Sequence, residues 1–346
     1  MNLVHKAAES SLGLFSQSFI DAYLTLITSH GADMTATSAA GYTPLHWAAL
    51  FGSHCVAHWL CRQLTAEDVN RGQPNQPNRT PLAEAAYGLD DLIQREPHSR
   101  RIRSYKITIG VLLRAGAVPC IARMPTATQR QQHRHRQLVL AECTTVLGEL
   151  SGAVMWAINA ALSPQHDHSM LLARLLPLAP HHDGAHPYPS PSNMAFAPHM
   201  SIAWKIGAFL YEPSAAVVTI DEYLIGESPL RRRVRAAVGH FVESAATQTS
   251  SNREVVGGMA SVGGVMVTVP PLQCFAVREG ASVRRVGLRE VVHRARMDEA
   301  ARHGVEEGAI NKGFNEHLGD QDCQFSWQQL GRIDRQTGLF VSLGIE

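Results

Sequence analysis

The chain has little lysine, few aromatic residues and no patterned cysteine, and each shortage excludes something. Arginine and lysine together number 31 against 30 acidic residues, so the net charge is only +1. Such a balance gives no bulk attraction to nucleic acid or to an anionic membrane surface. Six cysteines (Cys55, Cys61, Cys120, Cys143, Cys274 and Cys323) occur without a Cys-x-x-Cys pair or dense spacing. That rules against a disulfide scaffold and makes a reducing, cytoplasmic setting the expectation. No uninterrupted run of 18 apolar residues occurs, which argues against a membrane-spanning helix. The opening MNLVHKAAESSLGLF lacks the apolar core and cleavage pattern of a secretion leader. No GxxxxGK[ST] or GxGxxG phosphate loop is present, so no nucleotide, cofactor or small-molecule substrate is indicated. What is there is an ordinary globular composition, 45% hydrophobic and 18% charged over 346 residues. That length suits about two domains.

Internal similarity dominates the first third. Residues 41–64 read GYTPLHWAALFGSHCVAHWLCRQL, residues 79–88 read RTPLAEAAYG, and residues 105–119 read YKITIGVLLRAGAVP. Residues 3–8, LVHKAA, and 24–34, LTLITSHGADM, look like the start and end of an earlier, worn copy. Thr43 offers a side-chain oxygen to the first-turn amides of a helix, and Pro44 at the first helical position forfeits no hydrogen bond. Leu45, Ala48 and Ala49 share one face, and Gly52 suits the left-handed stop. A second apolar stripe follows at Val56, Trp59 and Leu60. A short helix pair of this kind cannot bury its apolar face alone, so neighbouring pairs must stack.

These residues resemble the ankyrin repeat family. The match lies in Thr43-Pro44-Leu45-His46 with Ala48, Ala49 and Gly52, in Thr80, Pro81, Leu82, Ala85, Ala86 and Gly88, and in Leu112 to Ala117. It covers about residues 3–119. Residues 89–104 read as an insertion between two helices, and Glu84 stands near the signature histidine of its copy. The resemblance implies a mainly α fold: an N-terminal ankyrin-repeat α-solenoid followed by a C-terminal α+β region. It also implies that His46 bonds to neighbouring backbone and is structural. Hairpin tips and first-helix outer faces would then contact a protein partner, through Thr37, Ser38, Tyr42, Trp47, Phe51, Gln76 and Asn78. Trp47 and Phe51 serve either as exposed anchors or as packing between repeats.

Beyond residue 120 the signals thin out. Residues 123–137, polar and rich in Gln and Arg, read as a loop or linker. Residues 138–150 carry apolar helical spacing. Residues 152–178 and 200–226 each echo a helix pair, so 121–226 is expected to be helical and to include diverged repeats. Residues 179–199 form a Pro-rich loop near His166, Asp167, His168, His181, His182, Asp183, His186 and His199. These are zinc-type ligands, but their spacing fits no metal motif, and a solvated loop is the expectation.

Residues 227–346 have a different texture. Residues 228–246 and 287–318 read as helices, 262–280 as two strands joined by a turn, and LFVSLGI near the end as a last strand. Eleven Arg face four Glu over residues 231–296, and four basic face nine acidic residues over 297–346. No nucleic-acid fold signature accompanies Arg231, Arg232, Arg233, Arg235, Arg284, Arg285, Arg294 or Arg296. Two thiol–imidazole sets can be written: Cys274 with His293 or His303, and Cys323 with His317 and Asp320. No local motif marks either cysteine. The domains are thus drawn at 1–120, 121–226 and 227–346, with another protein as partner and no membrane, cofactor or metal. The leading reading is an adaptor or recruitment protein. The alternative is a microbial effector enzyme, cysteine-dependent or a transferase, whose repeats select the target in a host cytoplasm.

Overall fold

A computed structural model describes residues 2–10, 15–118, 128–175, 203–204, 206–207, 209–246, 258–262, 265–269, 274–306, 308–312, 323–334 and 336–345. The protein is mostly helical with a small antiparallel sheet. It divides into two compact units, one of residues 1–150, 223–231 and 296–311, the other of 151–222, 232–295 and 312–346. The range 1–120 lies within the first unit, while 121–226 and 227–346 contribute to both.

In the first unit, helices come in pairs: α1 (Leu3–Ser10) with α2 (Gln17–Ser29), α3 (Pro44–Phe51) with α4 (His54–Gln63), and α6 (Pro81–Arg95) with α7 (Arg101–Arg114). A single turn, α5 (Ala66–Val69), follows α4. The pairs stack in two rows, α1–α3–α6 and α2–α4–α7. The local chemistry explains each helix start. The Thr43 side chain accepts from the His46 amide and that of Thr80 from the Ala83 amide, each with proline next in the chain. Gly52 ends α3 with φ +67°. Leu45, Ala48, Ala49, Leu60, Leu82, Ala85, Ala86 and Leu112 are fully or almost fully buried, the small alanines letting the rows approach. The insertion at 89–104 lengthens α6 to 15 residues, against 8 in α3, and supplies the turn into α7.

Tyr105 of α7 locks two pairs together. Its hydroxyl donates to the Leu50 carbonyl at 2.5 Å. Its ring lies over Gly52 and Gly88, where added methyl groups would come within 3.0 Å and 2.5 Å of ring carbons.

The stretch that reads as a linker is helix from Gln129 onward, residues 123–127 lying outside the described residues. Helix α8 runs unbroken from Gln129 to Leu175, with Pro164 inside it. Its start is set by Thr128, whose hydroxyl oxygen accepts from the Gln131 amide at 3.2 Å. Gln and Arg are good helix formers, which overrides the polarity of the segment. Residues 152–175 are therefore one helix, not a helix pair. Pro164 disturbs the ladder one turn back, and the Ala161 carbonyl accepts from the Glu212 amide at 3.0 Å. By length and composition α8 could also cross a membrane, its best 18-residue window having a mean hydropathy of 1.4 with 33% of it buried. Counting uninterrupted apolar residues passes over this window. The packed side of the helix is a stripe of Val146, Leu147, Leu150, Val154, Ala157 and Ala161.

In the second unit, α9 (Pro213–Tyr223) and α10 (Pro229–Ala246) precede the strands. A hairpin pairs β1 (Gly258–Val262) with β2 (Val265–Val269), and a four-stranded antiparallel sheet has the order β4-β3-β5-β6. Its strands are β3 (Phe275–Glu279), β4 (Ser282–Val286), β5 (Leu330–Ile333) and β6 (Phe340–Ser342). The expected pair of strands over 262–280 is thus parts of three, Gly263-Gly264 falling between the first two. Gly280, with φ +64°, opens the two-residue turn that closes β3 on β4. Helix α10 seats on this sheet: the His240 ring lies 5.0 Å from that of Phe275 and the Arg233 guanidinium 4.7 Å above Trp327. Helix α11 (Leu288–His303) is shorter than the helix read at 287–318: Gly304, with φ +66°, ends it, the described residues from 305 to 312 are not helical, and residues 313–318 lie outside the described residues.

The Tyr105 contact yields a test. Alanine at Gly88 gains about 1 kcal/mol of helix propensity in an unhindered helix. Here its methyl would collide with a ring held on both sides, and overpacking of this kind costs about 1–3 kcal/mol. Urea unfolding should show Gly88→Ala to be less stable than the wild type; an equal or higher stability would contradict the packing.

Candidate protein-binding surface

The surface is built from two hairpin tips and the first helices behind them. In the first tip, the Ser38 amide donates to the Tyr42 carbonyl and the Gly41 amide to the Ser38 carbonyl, both at 2.8 Å. In the second, Gln73 and Gln76 form a β-bridge, and the Arg79 amide donates to the Gln76 carbonyl at 2.9 Å. The tips touch: a methyl group on Gly41, whose φ is +79°, would lie 3.0 Å from Pro74. Thr37, Gln76 and Asn78 are exposed, while Ser38, Tyr42, Trp47 and Phe51 are half-buried.

The tips are held from behind by histidine. The His46 ring is fully buried. Its Nε2–H donates to the Arg79 carbonyl of the following pair at 3.0 Å, and its Nδ1 accepts from the Thr43 amide at 3.3 Å and the Thr43 hydroxyl at 2.8 Å. Arg79 precedes Thr80, so the bond fixes the loop where the next helix begins. His5 repeats the arrangement one pair earlier, with Nε2 3.0 Å from the carbonyl of Tyr42, the residue before Thr43. Burial lowers the pKa of both imidazoles, to about 4 for His46. Both are structural groups, as the resemblance implies for His46.

At the third pair the histidine position holds Ala83, and the ladder is replaced by charge. The Arg79 guanidinium donates to both carboxylate oxygens of buried Glu84, at 2.7 and 3.2 Å. Desolvation nonetheless raises the Glu84 pKa, with Arg79 opposing it. The same guanidinium lies 5.6 Å from the centre of the Tyr42 ring, which stands edge-on to His46 at 5.7 Å. Neither Arg79 nor His5 was singled out from the sequence. Position in the repeat would have found them, since Arg79 precedes the capping Thr80 and His5 stands three residues after Asn2, whose side chain accepts from the His5 amide, as His46 does after Thr43.

Trp47 and Phe51 pack ring to ring at 5.4 Å, with His5 edge-on to Trp47 at 6.3 Å. They are thus part packing and part surface. The Trp47 indole nitrogen is buried without an acceptor among the described residues.

Of the described cysteines, Cys55, Cys61, Cys143 and Cys323 are buried and Cys274 is half-buried. Cys61 and Cys143 are buried, which pushes each thiol up to about 12; such thiols are poor nucleophiles. Cys323 is fully buried, and its suggested partners His317 and Asp320 lie outside the described residues. The His240 Nε2–H donates to the Cys274 backbone carbonyl at 3.1 Å. His303 belongs to the first unit, where its Nε2 lies 3.1 Å from Glu299. His166 contacts Asp167, and the His168 Nδ1–H donates to the Pro164 carbonyl. His181, His182, Asp183, His186 and His199 lie outside the described residues. No group of three or more potential metal ligands occurs among the described residues. Several of the C-terminal arginines are engaged: Arg235 with Asp221 at 3.5 Å, Arg284 with Glu279 at 2.8 Å, and Arg233 on Trp327.

Comparison with known families agrees with the tip-and-helix geometry. The family model described as ankyrin repeat matches residues 40–70, from the first tip through α3, α4 and α5. Residues 40–70 are an ankyrin repeat. No curated protein and no solved structure matches the chain. Within the ankyrin repeat fall Tyr42, Thr43, His46, Trp47 and Phe51, so the aromatic pair and the bridging imidazole belong to the matched segment.

The buried imidazole makes stability depend on pH with a defined sign. In the folded chain His46 stays neutral down to about pH 4, whereas unfolded it takes a proton below the ordinary histidine value of 6.5. Its contribution is complete above 6.5 and is lost as pH falls toward 4. Between pH 7.5 and 5 the wild type should lose roughly 2 kcal/mol more than His46→Gln in urea unfolding. Parallel losses in the two proteins would contradict the assignment.

Proposed function

We propose that the protein is a protein-binding adaptor or recruitment factor that acts through this repeat surface. Ankyrin repeats generally mediate contacts with partner proteins, and the observation that carries the reading here is the paired Trp47 and Phe51. They are half-exposed aromatic rings beside tips already fixed by backbone and imidazole bonds. Preordered tips lose little conformational freedom on association. Aromatic side chains that become buried supply much of the energy of an interface. Thr37, Ser38, Gln76 and Asn78 would form the polar rim, with Tyr42 and Arg79 between them. A cytoplasmic setting, the protein's own or a host's, fits thiols such as Cys61 and Cys143 buried in the core.

The reading is tested by site-specific photocrosslinking. A crosslinker at Gln76 should capture a discrete set of proteins from the native extract. That set should fall at least about tenfold with Trp47→Ala combined with Phe51→Ala, since each truncated anchor removes roughly 1–2 kcal/mol. Arg62→Ala, on the other row, should leave it unchanged. Capture that ignores the aromatic pair in a folded chain would overturn the proposal.

A further inference from the structure

The charges around the tip surface cancel one another locally. At the second tip, the Arg71 guanidinium donates to Asp68 at 2.5 Å, and Arg79 is clamped to Glu84 through two nitrogens, at 2.7 and 3.2 Å. Along the row of first helices, Lys6 meets Glu9 at 2.8 Å and Arg95 meets Asp91 at 2.8 Å. Asp90 accepts from Arg134 at 3.0 Å and from His135 at 3.2 Å. Helix α3, in the middle of the row, contains no Asp, Glu, Lys or Arg. Among the described residues of α1, α3, α6 and the two tips, Asp33 alone has no opposite charge within ion-pair distance. Its carboxylate accepts instead from the Thr35 amide and hydroxyl, both at 2.7 Å. What faces outward is neutral: the side chains of Thr37, Gln76 and Asn78 on the tips, and the rings of Trp47 and Phe51 behind them. The rings continue onto the next pair. Counted from the capping threonines, Tyr87 stands in α6 where Leu50 stands in α3, and it is 49% exposed.

Resting on the adaptor reading, we infer that the partner meets this surface with a segment free of formal charge, its apolar side chains seated against Trp47, Phe51 and Tyr87. Charge complementarity decides the kind of partner. A surface with an unpaired cation or carboxylate selects the opposite sign. Here a charge of either sign would lose water against rings and neutral amides without gaining a counter-charge, which is a net cost. To gain one it would have to draw Arg79 away from Glu84, and Glu84 is 1% exposed. Breaking such a pair leaves a buried carboxylate unmet, which is more costly still. An uncharged segment meets no such penalty. Its backbone amides and carbonyls suit the hydroxyl of Thr37 and the carboxamides of Gln76 and Asn78, which donate and accept alike. Opposite charges paired at contact distance also project little field into salt solution, so the encounter is not steered by charge.

The crosslinker at Gln76, in the full chain and the native extract, reads the character of the contact. The set of proteins whose capture needs Trp47 and Phe51 should change by less than about twofold between roughly 0.1 and 0.5 M salt. Thr37→Glu and Thr37→Lys, at an exposed tip position, should alter that capture to the same extent and in the same direction. Tyr87→Ala should lower it at least about fivefold, and Tyr87→Phe should leave it unchanged, with far-ultraviolet circular dichroism constant throughout. Capture that still needs Trp47 and Phe51 but falls about tenfold with salt, moves in opposite directions with the two Thr37 variants, or ignores Tyr87→Ala would overturn this inference and leave the adaptor reading standing. Capture indifferent to Trp47 and Phe51 would overturn both.

Discussion

A neutral imidazole with both nitrogens engaged joins one helical pair to the next. His46 reaches from inside its own first turn to the Arg79 carbonyl, the last backbone acceptor before the next helix starts. An unmet carbonyl and an unmet ring nitrogen at a buried site would each cost about 1–3 kcal/mol, so the bond constrains more by what its absence costs than by its own net strength. Because the ring is anchored at Thr43 as well, a single side chain fixes three things: the cap of α3, the exit of the second tip and the spacing between pairs. The tips can then be short, hydrogen-bonded and closely apposed, as the contact of Gly41 with Pro74 shows.

The ladder has a direction and an end. His5 bonds forward to Tyr42 and His46 bonds forward to Arg79, but the third pair has Ala83 at that place. There the bidentate Arg79–Glu84 pair takes over, and the next elements are secured by the Asp90 contacts with Arg134 and His135. The change from imidazole–carbonyl to ion-pair bonding coincides with the change from short helices to the 47-residue α8. Aromatic rings gather where the ladder runs: Tyr42 against His46, and Trp47 against His5 and Phe51. The imidazoles that tie the pairs together are themselves buried, and the aromatic rings packed against them are half-exposed.

The sequence made this part legible because its signals are local. Thr-Pro starts, the Gly52 stop and the alanine spacing each act within one turn of helix, and the structure places them as the spacing requires. Contacts distant in sequence were hidden. Tyr105 lies 55 residues from the carbonyl it bonds, and nothing near it announces that it will cover Gly52 and Gly88. The error at residues 129–137 came from reading polarity as loop, although Gln and Arg favour helix and His135 is buried against Asp90. Residues 152–178 read as a pair because Ala157, Ala160 and Ala161 precede a leucine-rich run, yet 152–175 are one helix that contains Pro164. The helix tolerates it, with an outside donor, Glu212, meeting the neighbouring carbonyl. For the proposed surface, Trp47 and Phe51 were named from the family resemblance, which the i, i+4 spacing placed together on the first helix, whereas Arg79 could only be recognised once the repeat register was known.

The account rests on the protonation and bonding of one ring, and nuclear magnetic resonance reads both. In a histidine-selective proton–nitrogen spectrum, His46 should be the neutral Nε2–H tautomer, with a ring proton protected from exchange and a signal that does not titrate between pH 7.5 and 5. A ring protonated at Nδ1 alone, or one that titrates near the ordinary histidine value, would contradict it.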